Sequence, residues 1–175
     1  MLSDNANNVQ EKAKPPVKWA GGKSQLIEQF RPLFPRHFKK YLEPFVGGGA
    51  VFFELQPRKA VLIDSNPELM NFYTVVRDQL EALLADLARH ENTAEYYYHI
   101  RSLDPDHMDP VGRASRFLYL NKTAYNGLWR VNRKGQHNVP YGRYKNPQYR
   151  DEENLKRVSK ALRSAELLCA DFTEV

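Results

Sequence analysis

The sequence predicts an α/β fold, a doubly wound parallel sheet interrupted by a basic insertion of helices and a hairpin. Three observations point there. Residues 60–63, Ala-Val-Leu-Ile, form a continuous apolar run of strand length that ends at Asp64, as expected of a strand buried on both faces. Strand-like and helical segments alternate on both sides of it. Residues 121–150 then break the alternation, being rich in Asn, Gly, Pro and Tyr with turn signals and no long period.

Taken in order, residues 1–14 are polar and read as a disordered leader, closed by Pro15-Pro16. Leu26, Ile27 and Phe30 share a face of a helix over 24–30, which Pro32 and Pro35 end. Residues 41–46 read as a strand running into Gly47-Gly48-Gly49, with a helix over 50–55 after it. Beyond Asp64, Ser65-Asn66-Pro67-Glu68 fits a capping box with proline in the first turn. One long helix is expected to follow, carrying Leu69, Phe72, Val76, Leu80, Leu83 and Leu87 on one face. Further helices are expected at 94–102, 111–120 and 152–163, and a last strand at 166–170 before Asp171-Phe172. With three candidate strands, the sheet is expected to be incomplete in this chain.

Composition excludes several classes. Hydrophobic residues make up 42% of the chain, and no uncharged apolar run approaches the roughly 18 residues of a membrane helix. The first residues are polar and acidic, unlike a secretory signal. Cys169 is the single cysteine, so neither a disulfide framework nor a zinc finger can form within the chain. A soluble, cytoplasmic, globular protein is the expectation.

Charge is unevenly distributed. The net charge is +5, yet residues 41–110 carry five Lys/Arg against twelve acids. Residues 111–150 carry nine Lys/Arg and no acid, together with seven aromatics: Phe117, Tyr119, Tyr125, Trp129, Tyr141, Tyr144 and Tyr149. Basic groups interleaved with rings suit a polyanion with separable bases, hence a nucleic-acid surface. The alternative is a solvated basic hairpin packed on its own rings.

The glycine clusters narrow the ligand. Gly21-Gly22-Lys23-Ser24 ends like a P-loop, but Val17 stands where its first glycine must be and Pro15-Pro16 where the feeding strand should be. Gly47-Gly48-Gly49 begins like a dinucleotide fingerprint, but Phe52 occupies the third glycine position, where a helix must pack close beneath a pyrophosphate. What remains is a glycine turn between strand and helix, plus an acid, Asp64, at the end of the next strand. That pairing suits a nucleoside-bearing ligand without a pyrophosphate.

Several motifs carry a family resemblance. Lys18-Trp19-Ala20-Gly21-Gly22-Lys23, Glu43-Pro44-Phe45-Val46-Gly47-Gly48-Gly49-Ala50-Val51-Phe52 and Asp64-Ser65-Asn66 resemble the first motifs of Dam-type DNA adenine N6-methyltransferases. So does Leu120-Asn121-Lys122-Thr123-Ala124-Tyr125-Asn126-Gly127-Leu128-Trp129-Arg130-Val131-Asn132, continuing through Gly135 and Asn138-Val139-Pro140-Tyr141-Gly142 to Tyr144-Lys145. The resemblance spans residues 17–172. It implies a Rossmann-like methyltransferase sheet, S-adenosylmethionine (AdoMet) as cofactor and double-stranded DNA as partner. It further implies GATC as target and a place in the nucleoid of a bacterium or archaeon, or in a phage, inside or outside a restriction-modification pair.

Residue roles follow from the resemblance. Trp19 and Lys23 would contact AdoMet, and Phe45 with Gly47, Gly48 and Gly49 would cradle its methionine portion. Asp64 would hold the ribose hydroxyls, and Asp171 and Phe172 would flank the adenine. Lys18, Tyr125, Asn126, Leu128, Arg130 and Pro140 would approach base pairs, with Tyr125 as a wedge beside the flipped adenine. Asn132, Arg133, Asn138, Arg143 and Lys145 complete the expected DNA face, of which Arg133, Arg143 and Lys145 would meet phosphates. Residues 15–66 and 151–175 would form the AdoMet-binding part and residues 67–150 the target-recognition part.

The family activates adenine N6 with an Asp-Pro-Pro-Tyr loop, and these 175 residues contain none. No catalytic residue is therefore assigned within the chain, and the loop is expected beyond Val175. The chain alone is expected to be inactive, a truncated form needing a C-terminal complementing chain. The alternative is a catalytically inactive DNA- and AdoMet-binding module, or half of a split methyltransferase.

Overall fold

The structure, a computed structural model, describes residues 11–174. Three parallel strands form one sheet in the order β1 (Tyr41–Glu43), β2 (Ala60–Asp64), β3 (Ala165–Cys169). Glu43 is registered with Leu62, and Asp64 with Cys169. Central β2 is buried through Ile63, as its unbroken apolar run requires. The strand expected over 41–46 stops at Glu43, and the chain kinks at Pro44, whose nitrogen lies on the edge away from β2. Pairing resumes past the kink, where Val46 N–H donates to the Ile63 carbonyl at 2.9 Å.

Among the described residues, seven α-helices accompany the sheet: α1 (Ile27–Phe30), α2 (Ala50–Leu55), α3 (Pro67–Asp78), α4 (Leu80–Leu87), α5 (Ala94–Ser102), α6 (Pro110–Thr123) and α7 (Glu152–Leu162). The helix expected over 24–30 is mostly tight turn, with 3-10 segments on either side of the single turn α1. Pro32 sits in the second of these, and only Ile27 is buried, so little packing supports a longer helix.

The long helix expected after Pro67 is two helices. Gln79, at φ −137°, ends α3 and begins α4. Leu69, Phe72, Val76, Leu83 and Leu87 remain buried on both sides of the break, so the periodicity survived while the backbone did not. The expected capping box is also absent. Asn66, not Ser65, caps α3, its side chain accepting from the Glu68 and Leu69 N–H groups. Glu68 turns inward and pairs with Arg113.

One apolar core runs from Ala13 through the sheet and α3–α6 to Leu162 and Ala165. Helix α3 packs on β2, β3, α6 and α7, so the division drawn at residue 66 is not a seam in the packing. The leader drawn over 1–14 falls mainly outside the described residues. Its final residues are packed: Ala13 is buried, and the main chain of Lys14 is held by Asn154. The basic segment is a loose hairpin with two antiparallel bridges, Ala124 to Tyr141 and Val131 to His137. Among the described residues, no helix is long and apolar enough to cross a membrane.

The rings of that segment mostly face inward, against expectation. Phe117, Tyr119 and Tyr149 are buried, and Trp129 lies 4.4 Å from Phe117 and 4.8 Å from His137 between ring centroids. Of the seven only Tyr125 is exposed, with Tyr141 and Tyr144 half-buried. Two histidines share this interior. His90 stacks on Tyr119 and bonds to Tyr96 Oη and Ser115 Oγ. His137 is buried, and neither ring nitrogen has a hydrogen-bond partner among the described residues. Burial lowers both imidazoles to about 4.

These histidines stay neutral in the fold but protonate in the unfolded chain below about 6.5. Stability should therefore fall as pH drops from about 6.5 toward 4, by about 1–2 kcal/mol per histidine at pH 5. Urea unfolding of His137→Phe, which keeps a ring against Trp129, should show a shallower loss between pH 7.5 and pH 5 than the native chain. Parallel pH profiles for the two proteins would refute that origin.

Candidate cofactor cleft and DNA-facing surface

The glycine loop folds around two hydrogen bonds from one carboxylate. Asp64, at the end of β2, accepts from Gly47 N–H through Oδ2 and from Asn66 N–H through Oδ1, each at 3.0 Å. From the other side, buried Tyr73 donates its hydroxyl to the Gly47 carbonyl at 2.7 Å. Gly47 and Gly49 have φ of +48° and +74°, in the left-handed region that glycine adopts without strain. A Cβ on Gly47 would stand 2.6 Å from Trp19 Cδ1, and one on Gly49 2.7 Å from the Phe53 ring. The loop is thus packed from beneath by Trp19 and fixed at its rim by Asp64.

A cleft of about 710 Å³ opens above it, within the size range of small-molecule sites. Trp19, Lys23, Phe45, Gly47, Gly48, Gly49 and Asp64, expected from the sequence, all line it. Asp171 and Phe172 are not among its lining residues. Phe172 instead leans its exposed ring on Phe45, 5.1 Å between centroids, at the lip. Asp171 accepts from the Thr173 N–H and hydroxyl, bonds that hold its carboxyl below the usual range.

Two lining residues escaped sequence reasoning. Glu43 lies in the cleft with one oxygen bonded to Tyr41 Oη at 2.7 Å, and desolvation raises its pKa despite that bond and the charge of Lys23. Lys122 reaches the cleft from α6, and burial, reinforced by the charge of Lys18, lowers its ammonium to about 8. Glu43 was legible only as part of a motif, and Lys122 only as part of another and as one of nine basic residues. Neither signal speaks of a cleft.

The second surface starts at the same segment of chain. The ammonium of Lys18 sits 4.8 Å from the centre of the Tyr144 ring, whose hydroxyl accepts from Asn126 N–H at 3.0 Å. Tyr125 N–H donates to the Pro140 carbonyl at 2.9 Å, leaving both side chains exposed. Arg130 donates Nε–H to Asn138 Oδ1 at 2.8 Å, and its terminal nitrogens make no hydrogen bond among the described residues. Lys18, Tyr125, Asn126, Leu128, Arg130, Arg133, Arg143 and Lys145 are all exposed.

Asn132 has a structural task as well. It accepts from the Lys134 and Gln136 N–H groups and builds the hairpin tip. Part of the basic cluster is also structural. Arg113 pairs with Glu68, and buried Arg116 donates to the carbonyls of Ile100 and Arg101. The sequence counted these two as free charge, and they are not.

Comparison with known proteins gives the family. Residues 19–175 match the D12 class N6 adenine-specific DNA methyltransferase family. The chain belongs to that family. It is 44% identical to the type II methyltransferase M.MjaIII of Methanocaldococcus jannaschii, over 91% of this chain and 62% of that one. Identity to the type II methyltransferase M1.LlaDCHI of Lactococcus lactis is 46%, over 91% and 59% of the two chains. Identity to the DNA adenine methylase of Haemophilus influenzae is 38%, over 92% and 58%. The chain thus spans about three-fifths of the length of these curated methyltransferases.

The packing of the glycine loop can be tested without ligand. Gly47→Ala should move the Trp19 ring, change intrinsic tryptophan emission and cost about 1–2 kcal/mol of stability from the left-handed backbone alone. An unchanged spectrum and unchanged urea midpoint would show that the loop does not rest on Trp19.

Proposed function

We propose that this chain carries the cofactor-binding and target-recognition parts of an AdoMet-dependent DNA adenine N6-methyltransferase acting on GATC duplexes. The observation that carries the reading is the placement of one short segment. Trp19 underlies a cleft lined by a glycine loop and a strand-end carboxylate, while adjacent Lys18 lies against the Gly127 turn of the basic hairpin.

The cleft fits AdoMet by its donor set. The two backbone bonds to Asp64 use one lone pair on each oxygen, so the carboxylate can still accept from both ribose hydroxyls. Phe45 and Phe172 offer apolar faces at the lip for an adenine, and Lys23 and Glu43 are charges within reach of an amino-acid end. Bound AdoMet would supply the methyl group. On the DNA face, the free fork of Arg130 suits guanine O6 and N7, and Leu128 and Pro140 suit a thymine methyl. Tyr125 would wedge where the adenine leaves the stack. Arg133, Arg143 and Lys145 would hold phosphates and set register.

The amino group of adenine still needs an acceptor for its protons, and the 175 residues hold no Asp-Pro-Pro-Tyr to serve it. We assign that loop to sequence outside them, in the same polypeptide or a complementing chain. The supporting feature is the outer edge of β1, which has no strand partner among the described residues. Phe45 and Leu42 are exposed there, with 60% and 58% of their surface accessible, an apolar edge suited to further strands. Val46, next to Phe45, is buried behind that edge.

Asp64→Ala should weaken AdoMet binding at least about tenfold by calorimetry, since hydrogen bonds from a charged acceptor contribute about 1.5–3 kcal/mol. Unchanged affinity would remove Asp64 from the site. Arg130→Ala should relax discrimination at one base pair of GATC, whereas Arg143→Ala should weaken cognate and random duplexes alike and reduce the salt slope. Equal losses on both duplexes for Arg130→Ala would remove its base-reading role. Residues 1–175 alone should form no N6-methyladenine on GATC duplexes, and product formation by the purified chain would overturn the placement of the catalytic loop.

A further inference from the structure

Asn121 occupies the last full turn of α6 and is completely buried. Its Oδ1 accepts from Lys18 N–H at 2.9 Å, and its Nδ2 donates to the Lys18 carbonyl at 2.8 Å. One amide thus pairs with both main-chain groups of a residue 103 positions away, as a neighbouring strand would. The same Nδ2 lies 3.4 Å from the carbonyl of Gly127, in the turn that presents Tyr125, Asn126 and Leu128.

Lys18 fills the space between them. A Cβ on Gly127 would fall 2.1 Å from Lys18 Cδ, so the lysine stem rests directly on that turn. The next residue, Trp19, supports the glycine loop of the cleft from the other side. The Asn121 side chain itself lines neither the cleft nor the exposed hairpin face, yet its hydrogen bonds hold Lys18, which lines the cleft and lies on the turn.

We propose that Asn121 is a positioning residue that couples the two ligands, so that duplex DNA and AdoMet each strengthen the binding of the other. The proposal rests on the assignment of the cleft to AdoMet and the turn to DNA. Linkage requires the coupling to be reciprocal: whatever factor DNA gives to AdoMet affinity, AdoMet must give to DNA affinity.

The fold contains a control for ordinary structural loss. Asn154 of α7 makes the same two bonds to the main chain of Lys14, at 2.8 and 3.0 Å, four residues earlier in the same segment. It too is buried, but it makes no hydrogen bond to the DNA-facing turn. Removing either asparagine takes two hydrogen bonds from the segment, and of the two only Asn121 also bonds to Gly127.

The experiment measures AdoMet affinity with and without a saturating GATC duplex, and duplex affinity with and without AdoMet. The full chain is compared with Asn121→Ala, Asn121→Asp and Asn154→Ala. Asn121→Asp keeps the acceptor for Lys18 N–H and loses both donated bonds, so it reports even if the alanine variant fails to fold. The native chain and Asn154→Ala should each show at least about fivefold mutual tightening, the lower end of common coupling. Both Asn121 variants should fall below about twofold while still binding each ligand alone. Coupling kept in the Asn121 variants, or lost equally in Asn154→Ala, would assign Asn121 a structural role only. Two ligands that bind native chain independently would overturn the coupling and leave the functional reading intact. Failure of both ligands to bind would overturn the functional reading, and the coupling with it.

Discussion

Chain that crosses an interior without secondary structure must find other partners for its main-chain polar groups. Residues 14–18 are such a stretch, with Pro16 and Val17 buried, and two asparagines supply those partners. Asn154 holds Lys14 to α7, and Asn121 holds Lys18 to α6. Between them the chain passes beneath the glycine loop, where a Cβ on Gly48 would crowd the Val17 carbonyl at 3.3 Å. Pinned at both ends, the segment determines where Trp19 meets the loop and where Lys18 meets the hairpin.

The sheet provides the other fixed reference. Because β2 is central and parallel to both neighbours, its end carries Asp64 to the level of the turn that follows β1. One carboxylate there holds the chain beyond the kink at Pro44, binding Gly47 on one side and Asn66 on the other. A ligand in the cleft therefore meets a rim already held in place. Tyr73, reaching up from α3, completes the support and ties the glycine loop to that helix.

Much of this was legible in the sequence. The apolar run of β2 and the periods of α5, α6 and α7 each produced an element within a few residues of its expected position. Where reading failed, the reason was local. Burial phase passes unchanged through Gln79, so periodicity cannot see the break between α3 and α4. Composition counts rings and charges but not their direction, so Trp129, Arg113 and Arg116 were read as surface when they pack or pair inside. Trp19, Lys23, Phe45, the glycine loop and Asp64 were legible through motif order. Asn121 stood in a motif too, but its role did not show, because a buried amide pairing with distant backbone leaves no local pattern.

The central claim is that one segment serves both halves of the site, and hydrogen exchange over residues 15–22 tests it most directly. The Lys18 amide, bonded to Asn121, should gain protection when AdoMet is added alone and again when a GATC duplex is added alone. The contrary result is protection by AdoMet confined to the glycine loop and Asp64, protection by DNA confined to the hairpin, and no change over 15–22 in either case.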